Sequence, residues 1–224
     1  MGQTIGDILP LAIGIAISPV PIIAIILMLI TPDARRNGLA FLGGWVLGLF
    51  VVGGIVLIVG SSIDVATSSG PSHGASTLKL VLGVALLIAA VRHWRGRPKA
   101  GEEASLPKWM KTLDTFTPGR ALAIAALLSG INPKNLILNI GACTDIAQTG
   151  LSAIEQTVVL LVLVVIGSLG IITPVAVYFA MGERSGPILG EWRGWLAENN
   201  ATVMAVLFVV FGAALVGKGI TGLS

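Results

Sequence analysis

The sequence predicts an all-α integral membrane protein, and three observations support this fold class. Of its 224 residues, 54% are hydrophobic and only 11% are charged, whereas a soluble domain of this size needs far more charge to cover its surface. Long apolar stretches recur along the chain, and the mean hydropathy is +0.93. The short alternating strands that are typical of a membrane β-barrel are absent from the sequence.

Apolar stretches of helical length predict six transmembrane helices. They cover approximately residues 8–30, 39–60, 78–94, 120–144, 156–181 and 201–219. Most are close to the ~20 residues that a helix needs to cross about 30 Å of hydrocarbon. The first stretch has no Lys or Arg before it and is too long for a signal-peptide core, so we expect it to be retained. We therefore predict one transmembrane domain over residues 1–224.

The placement of the basic residues predicts the orientation of these helices. Of the 14 Lys and Arg residues, 11 lie in or beside the first, third and fifth connections. Because Lys and Arg are enriched in cytoplasmic loops, both termini are expected to lie outside. The net charge of +3 follows from this placement and does not indicate nucleic-acid binding.

Two of the predicted cytoplasmic connections contain amphipathic helical patterns. These are "SLPKWMKTLDTF" (105–116) and "GPILGEWRGWLAENN" (186–200), in which apolar residues recur at helical spacing. Each pattern predicts a short helix in the membrane interface. Such a helix serves either as an anchor that fixes depth and tilt or as a surface that docks on lipid.

Two proline motifs indicate an internal repeat. Setting Pro19 on Pro133 aligns "SPVP" (18–21) with "NPKN" (132–135), and each motif lies near the middle of its predicted span. The chain thus divides into repeat one at about 8–94, a connection at about 95–119 and repeat two at about 120–219. Because each repeat has three helices, the two copies must have opposite orientations in the membrane, as in many transporters.

The same prolines predict breaks in the first and fourth helices. A proline inside a helix removes one N–H donor and clashes with the carbonyl four residues earlier, here that of Ile15 or Ser129. An unpaired carbonyl is tolerated in a membrane where it lines a cavity or contacts protein. Two breaks at one depth indicate a shared polar chamber; the alternative is a pair of simple proline kinks.

Lys134 is the most unusual residue of this region. It lies 14 residues beyond Arg120, or about 21 Å along a helix, too deep to reach the inner surface comfortably. A central lysine costs roughly 2.5–3.5 kcal/mol on insertion and needs a partner. The sequence offers three kinds: exposed carbonyls, solvent or an anionic ligand. Asp145, the nearest acid, belongs near the outer end of the fourth helix.

The predicted site combines both motifs. Substrate binding is assigned to Ser18, Pro19, Pro21, Asn132, Pro133, Lys134, Asn135 and Asn139, with secondary roles for Ser168, Thr173 and Asp145. For Ser168 and Thr173 the alternative is a hydrogen bond to their own helix. Gly44 and Gly48 form a small-xxx-small face that predicts close helix contact. No metal cluster, nucleotide loop or nucleophile–base pair is evident, so we predict neither an enzyme nor a cofactor or metal site.

These segments resemble a known family. "LPLAIGIAISPVPIIAIILML" (9–29), "ARRNGLAFLGGWVLG" (34–48), "TPGRALAIAALLSGINPKNLIL" (117–138) and "WLAENNATVMAVLFVVFG" (195–212) are similar to the GAP family of the LysE exporter superfamily, also called sulfolipid-1-addressing or glycopeptidolipid-addressing proteins. The resemblance implies a protein of the bacterial inner membrane that assists export of glycolipids or other small molecules.

Two roles remain open on this basis. One is a transporter with a site between helices one and four, whose partners are membrane lipids and a glycolipid or other small-molecule substrate. The other is a non-transporting accessory protein of a lipid synthesis or export complex. A homodimer is compatible with either role.

Overall fold

A computed structural model describes residues 1–64, 73–97 and 116–223. Within these ranges the regular secondary structure is entirely helical, which confirms the predicted all-α class. The helices are α1 (Gly2–Ala16), α2 (Pro19–Leu29), α3 (Ala34–Asp64), α4 (His73–Arg95), α5 (Pro118–Gly130), α6 (Pro133–Ala147), α7 (Ala153–Gly167), α8 (Leu169–Met181) and α9 (Ser185–Thr221), with a 3-10 turn at Gly182–Arg184.

Among the described residues, between three and five membrane spans are evident from length and apolar composition. Three segments are long enough to cross unbroken: Ala34–Gly60, His73–Arg95 and Leu169–Thr221. Two further candidates are bent pairs, in which α1 and α2 meet at 53° and α5 and α6 meet at 61°. The sequence predicts six spans. The numbers differ because the stretches 156–181 and 201–219 are not two separate candidates: Ala153–Gly167 is a shorter apolar helix, and Leu169–Thr221 is a single long segment.

Both motif prolines begin new helices. Pro19 opens α2 and Pro133 opens α6. At the first position of a helix the missing N–H costs nothing, because that group has no partner within the helix in any case. Ser18 (φ −123°, ψ 90°) and Asn132 (φ −56°, ψ 122°) are non-helical and separate the halves. Breaks in the first and fourth helices are confirmed, and the alternative of simple kinks is wrong.

A third break, which the sequence does not predict, divides the stretch 156–181. α7 ends at Gly167 and α8 begins at Leu169, with Ser168 between them. Trp45 of α3 donates its indole N–H to the Gly167 carbonyl at 3.3 Å. This bond satisfies one of the carbonyls that a helix end leaves without an intrahelical partner.

The predicted interfacial helix at 186–200 is part of a longer element. α9 runs unbroken for 37 residues, about 55 Å at 1.5 Å per residue, so it exceeds the hydrocarbon thickness of about 30 Å. The helical character of 186–200 is confirmed, but its separation from the stretch 201–219 is wrong. The other predicted interfacial helix, 105–116, lies outside the described residues except for Phe116.

Close packing places the broken helices at the centre. α6 contacts α1, α3, α4, α5, α7 and α9, while α4 packs along α9 and α3 packs along α5. A Cβ at Gly44 would collide with the backbone of Leu122, and one at Gly48 would lie 2.6 Å from the Ala126 carbonyl oxygen. The close contact predicted from Gly44 and Gly48 is therefore confirmed between α3 and α5.

Candidate functional site

The ammonium group of Lys134 lies at the end of α1. Its Nζ donates to the carbonyl oxygens of Gly14 at 2.6 Å and Ile17 at 2.9 Å, and to the hydroxyl of Ser18 at 2.7 Å. The residue is 2% exposed. An ammonium has three N–H donors, so all of them are used within the protein. The sequence leaves three kinds of partner open for Lys134, and in the structure its partners include the carbonyls at the broken end of α1.

Ser18 completes the cap on α1. Its hydroxyl donates to the Ile15 carbonyl at 2.7 Å and lies 3.1 Å from Oδ1 of Asn135. The Ile15 carbonyl, which the sequence predicts to lose its usual partner, is thus satisfied by a side chain. The Ser18 N–H donates to the Ala16 carbonyl at 3.0 Å. The broken end of α1 is therefore held by one lysine and one serine.

The helix dipoles favour this position for the charge. The C-terminus of a helix carries a partial negative charge, and the Lys134 ammonium lies at that end of α1. The backbone of Lys134 belongs to the first turn of α6, where its N–H donates to Oδ1 of Asn132 at 3.1 Å. No acidic side chain of the described residues pairs with Lys134. Backbone carbonyl dipoles at the end of α1 therefore stabilise the ammonium charge, as a carboxylate would in an ion pair.

Two buried asparagines tie α6 to its neighbours. Asn135 donates through Nδ2 to the Leu128 carbonyl of α5 at 3.0 Å. Asn139 donates through Nδ2 to the Leu49 carbonyl of α3 at 3.0 Å, and its Oδ1 accepts from the Cys143 thiol at 3.3 Å. The two amides therefore join α6 to α5 and to α3.

A cavity of about 390 Å³ lies beside the two breaks. It is lined by Ser18, Pro19, Val20, Pro21, Ala89, Arg92, His93, Asn132, Pro133, Lys134, Asn200, Met204 and Phe208. All the residues assigned to substrate binding line it except Asn135 and Asn139. Its volume falls within the range of ligand cavities, about 300–1,000 Å³. Binding of a substrate by these residues stays a prediction.

Three polar residues of this cavity were missed by sequence reasoning. Arg92 and His93 come from α4 and Asn200 from α9. Arg92 is exposed and pairs with no acid among the described residues. Oδ1 of Asn200 is buried without a hydrogen-bond partner in the described chain. The cavity thus offers a cation for an anionic group, and one of its lining residues, Asn200, has an unpaired amide oxygen.

Apolar side chains form the remaining wall. The His93 ring packs edge-on against Phe208, with the ring centroids 5.1 Å apart, and Met204 lies one turn earlier on α9. A ligand in this cavity therefore contacts both polar and apolar surface.

The hydroxyls of Ser168 and Thr173 bond to their own helical segments. Ser168 Oγ donates to the Val164 carbonyl at 2.6 Å, and Thr173 Oγ1 donates to the Leu169 carbonyl at 2.8 Å. Neither residue lines the cavity beside the breaks. The alternative that each hydroxyl satisfies its own backbone is the arrangement in the structure.

Asp145 forms ion pairs far from Lys134 along α6. Its carboxylate accepts from Lys79 of α4 at 2.7 Å and from Lys218 of α9 at 2.6 Å. Lys79 also donates to Oε1 of Gln148 at 2.8 Å. This cluster joins α4, α6 and α9, and it leaves Asp145 outside the cavity.

The resemblance noted in the sequence agrees with a family model. A search of the curated proteins finds no match to this chain, and a search of the solved structures also finds none. The family model described as "Sap, sulfolipid-1-addressing protein" matches residues 8–221. This match covers nearly the whole chain and all of the cavity-lining residues. The chain therefore belongs to the family of Sap, the sulfolipid-1-addressing proteins.

Proposed function

We propose that this protein is an exporter of amphipathic molecules with an anionic, hydroxyl-bearing head group, glycolipids among them. The cavity beside the two helix breaks carries the proposal, because both halves of the chain contribute polar groups to it within an apolar bundle. Sites of this kind, between broken helices, are a common feature of secondary transporters. The family's name, sulfolipid-1-addressing protein, fits a lipid cargo.

A six-span inverted repeat accounts for the helices. In this arrangement α1–α2, α5–α6 and α7–α8 each form one span, and α3, α4 and the later part of α9 form the others. The segment Leu169–Thr221 has 53 residues, about 80 Å as a helix, which is more than two crossings of ~30 Å require. Dividing it at the turn Gly182–Arg184 gives the end of span five and the start of span six.

The glycine contacts at the breaks support this symmetry. Gly48 of span two approaches the Ala126 carbonyl of span four, and Gly170 of span five lies against the Ala16 carbonyl of span one. An inverted repeat relates span one to span four and span two to span five. Each broken helix thus has a glycine of the corresponding neighbour packed on its backbone.

The cavity chemistry suggests how a head group binds. Arg92 attracts a sulfate, phosphate or carboxylate through charge-assisted hydrogen bonds, and Oδ1 of Asn200 accepts from a hydroxyl. A volume of about 390 Å³ accommodates a head group, while the acyl chains remain in the surrounding hydrocarbon. Lys134 comes within reach of the anionic group when α1 moves away from its ammonium.

The orientation supports export from the cytoplasmic side. With the basic connections inside, Arg92 and His93 lie near the inner end of α4, so that the cavity receives cargo from the inner leaflet. The proposed location is the bacterial inner membrane, with both termini outside.

Lipid movement in liposomes tests the proposal. The purified protein is placed in phosphatidylcholine vesicles that contain fluorescently labelled phosphatidylglycerol or sulfatide, and transfer between leaflets is measured by quenching from outside. We expect faster transfer of both anionic lipids than in empty vesicles, and no acceleration of labelled phosphatidylcholine. Arg92→Ala should slow transfer about tenfold, because a hydrogen bond to a charged group is lost.

Matched variants separate the roles of the two cations. Arg184→Ala removes an exposed arginine outside the cavity and should leave transfer unchanged. Lys134→Ala should slow transfer, and an unchanged rate would contradict the role of Lys134. If the wild-type protein moves none of the probes faster than empty vesicles do, the exporter proposal fails and the accessory role is favoured.

A further inference from the structure

A second cavity, of about 480 Å³, forms a groove between α3 and α4. It lies beside the end of α3, the start of α4 and the end of α6, well away from the breaks. In the part of the chain that the structure describes, α3 and α4 both contact α6 but make little or no contact with each other. The groove is therefore floored by α6 and open at the side of the bundle.

The rim of the groove is apolar and faces outward. Ile55 and Val59 of α3 are 56% and 52% exposed, and Leu78 of α4 is 40% exposed. In a membrane-spanning bundle, exposed aliphatic side chains of this kind face hydrocarbon. The side opening of the groove thus meets lipid chains.

A polar group without a partner lies at the end of the groove. Gln148 accepts from Lys79 through Oε1 at 2.8 Å, but its Nε2 is buried and has no hydrogen-bond partner in the described residues. A buried N–H group without an acceptor costs free energy in an apolar surrounding. Nε2 of Gln148 therefore needs an acceptor oxygen that the described residues do not supply.

The charge beside Gln148 indicates that this oxygen is anionic. Asp145 is shared by Lys79 and Lys218, so the cluster of three carries one excess positive charge. Lys79 donates to Oε1 of Gln148, so this charge lies next to the unpaired Nε2. An anionic head group matches both the unpaired donor and the excess charge.

The two ends of the groove favour a lipid over a helix of a partner protein. Along α6 the groove extends from Ile140 to Gln148, about 12 Å at 1.5 Å per residue. Its lining is mostly apolar, and the unpaired donor and the excess charge lie at the Gln148 end. An acyl chain joined to an anionic head group has the same arrangement of apolar and charged parts.

We propose that this groove binds an anionic phospholipid, with one acyl chain between α3 and α4 and a phosphate or ester oxygen on Nε2 of Gln148. The site is separate from the cavity beside the breaks, and lipid binding here does not depend on transport. It would place a specific anionic lipid against the cluster that joins α4, α6 and α9.

Site-specific photocrosslinking tests the proposal. A photoreactive benzoylphenylalanine replaces Val59 at the groove rim or, as the control, Val165, which is 57% exposed and lies outside the groove. Each protein is reconstituted in vesicles of phosphatidylcholine and phosphatidylglycerol at four to one and irradiated, and the attached lipids are identified by mass spectrometry. We expect several-fold enrichment of phosphatidylglycerol at position 59 and the bulk ratio at 165.

Two further variants locate the head group and the chain. Gln148→Glu keeps an acceptor for Lys79 but replaces the free donor with a negative charge, so it should abolish the enrichment at position 59. Leu78→Trp fills the groove from an exposed position and should lower the yield of lipid adducts there. Bulk lipid composition at position 59, enrichment unchanged by Gln148→Glu, or a protein adduct in place of lipid would each overturn the proposal. Failure of leaflet transfer would not affect it.

Discussion

The break between α1 and α2 differs from the break between α5 and α6 in the groups that satisfy its carbonyls. At the end of α1, the carbonyls of Gly14 and Ile17 accept from the Lys134 ammonium. At the end of α5, the Leu128 carbonyl accepts from the neutral amide of Asn135. The first break is held by a buried cation from α6 together with Ser18, and the second by the neutral amide of Asn135, also from α6.

This difference shows how one motif serves two roles. In the alignment of "SPVP" with "NPKN", Val20 corresponds to Lys134 and Pro21 corresponds to Asn135. The second motif therefore supplies side-chain donors to both breaks, while the first motif supplies Ser18 at its own break. The bond between the Lys134 ammonium and the Ser18 hydroxyl joins the two motifs directly.

Removal of the lysine should have the largest effect on stability. Lys134→Met leaves the carbonyls of Gly14 and Ile17 without donors, at about 1–3 kcal/mol for each, so we expect a loss of about 3 kcal/mol. Asn135→Leu leaves the Leu128 carbonyl of the other break without its donor and removes the amide oxygen beside the Ser18 hydroxyl, which already donates to Ile15, so it should cost about half as much. Unfolding is measured in detergent by thiol labelling of Cys143, the single cysteine, which is buried. Equal losses would contradict the asymmetry of the two breaks.

The glycines that pack on the breaks should have the next largest effect. An alanine Cβ at Gly170 would collide with the Ala16 carbonyl, and one at Gly48 would lie 2.6 Å from the Ala126 carbonyl oxygen. Because backbone carbonyls cannot move aside freely, we expect each Gly→Ala change to cost about 2 kcal/mol. The same thiol-labelling measurement applies.

A third glycine serves as the control. Among the described residues, no atom lies within 4 Å of a Cβ added at Gly54 of α3, so Gly54→Ala should be neutral or stabilising by up to about 1 kcal/mol. If Gly48→Ala and Gly54→Ala behaved alike, close backbone contact at the second break would not be required for stability.

The sequence was sufficient to locate both proline breaks. Each motif combines a helix-breaking proline with polar residues in an otherwise apolar span, and few arrangements satisfy such groups in hydrocarbon. The need of Lys134 for a partner followed from its depth, and exposed carbonyls were among the partners that the sequence left open. These inferences depend on local chemistry, which the sequence displays directly.

The remaining parts of the site depend on tertiary packing. Arg92 and Asn200 reach the cavity because α4 packs along α9, and no local pattern predicts that contact. The break at Ser168 has no proline beside it, and an indole from α3 caps it. The only sequence signals were weak: the pair of asparagines at 199–200 beside an apolar run, and the glycine at 167.

The smallest predicted effect concerns the two side chains that cap the breaks, the hydroxyl of Ser18 and the amide of Asn132. Ser18 precedes α2 but bonds backward to α1 and accepts from the side chain of Lys134. Asn132 precedes α6 and accepts from the backbone N–H of Lys134. Ser18→Ala and Asn132→Ala should each cost about 1 kcal/mol in stability, so the single changes do not distinguish them.

A double-mutant cycle with Lys134→Met does distinguish them. Methionine keeps the backbone N–H that Asn132 caps but lacks the ammonium that Ser18 accepts from. The effects of Ser18→Ala and Lys134→Met should therefore be non-additive by about 1 kcal/mol, whereas those of Asn132→Ala and Lys134→Met should add within about 0.5 kcal/mol. Equal coupling for both pairs would mean that the lysine supports the second break as much as the first, and the asymmetry drawn between the two breaks would then be lost.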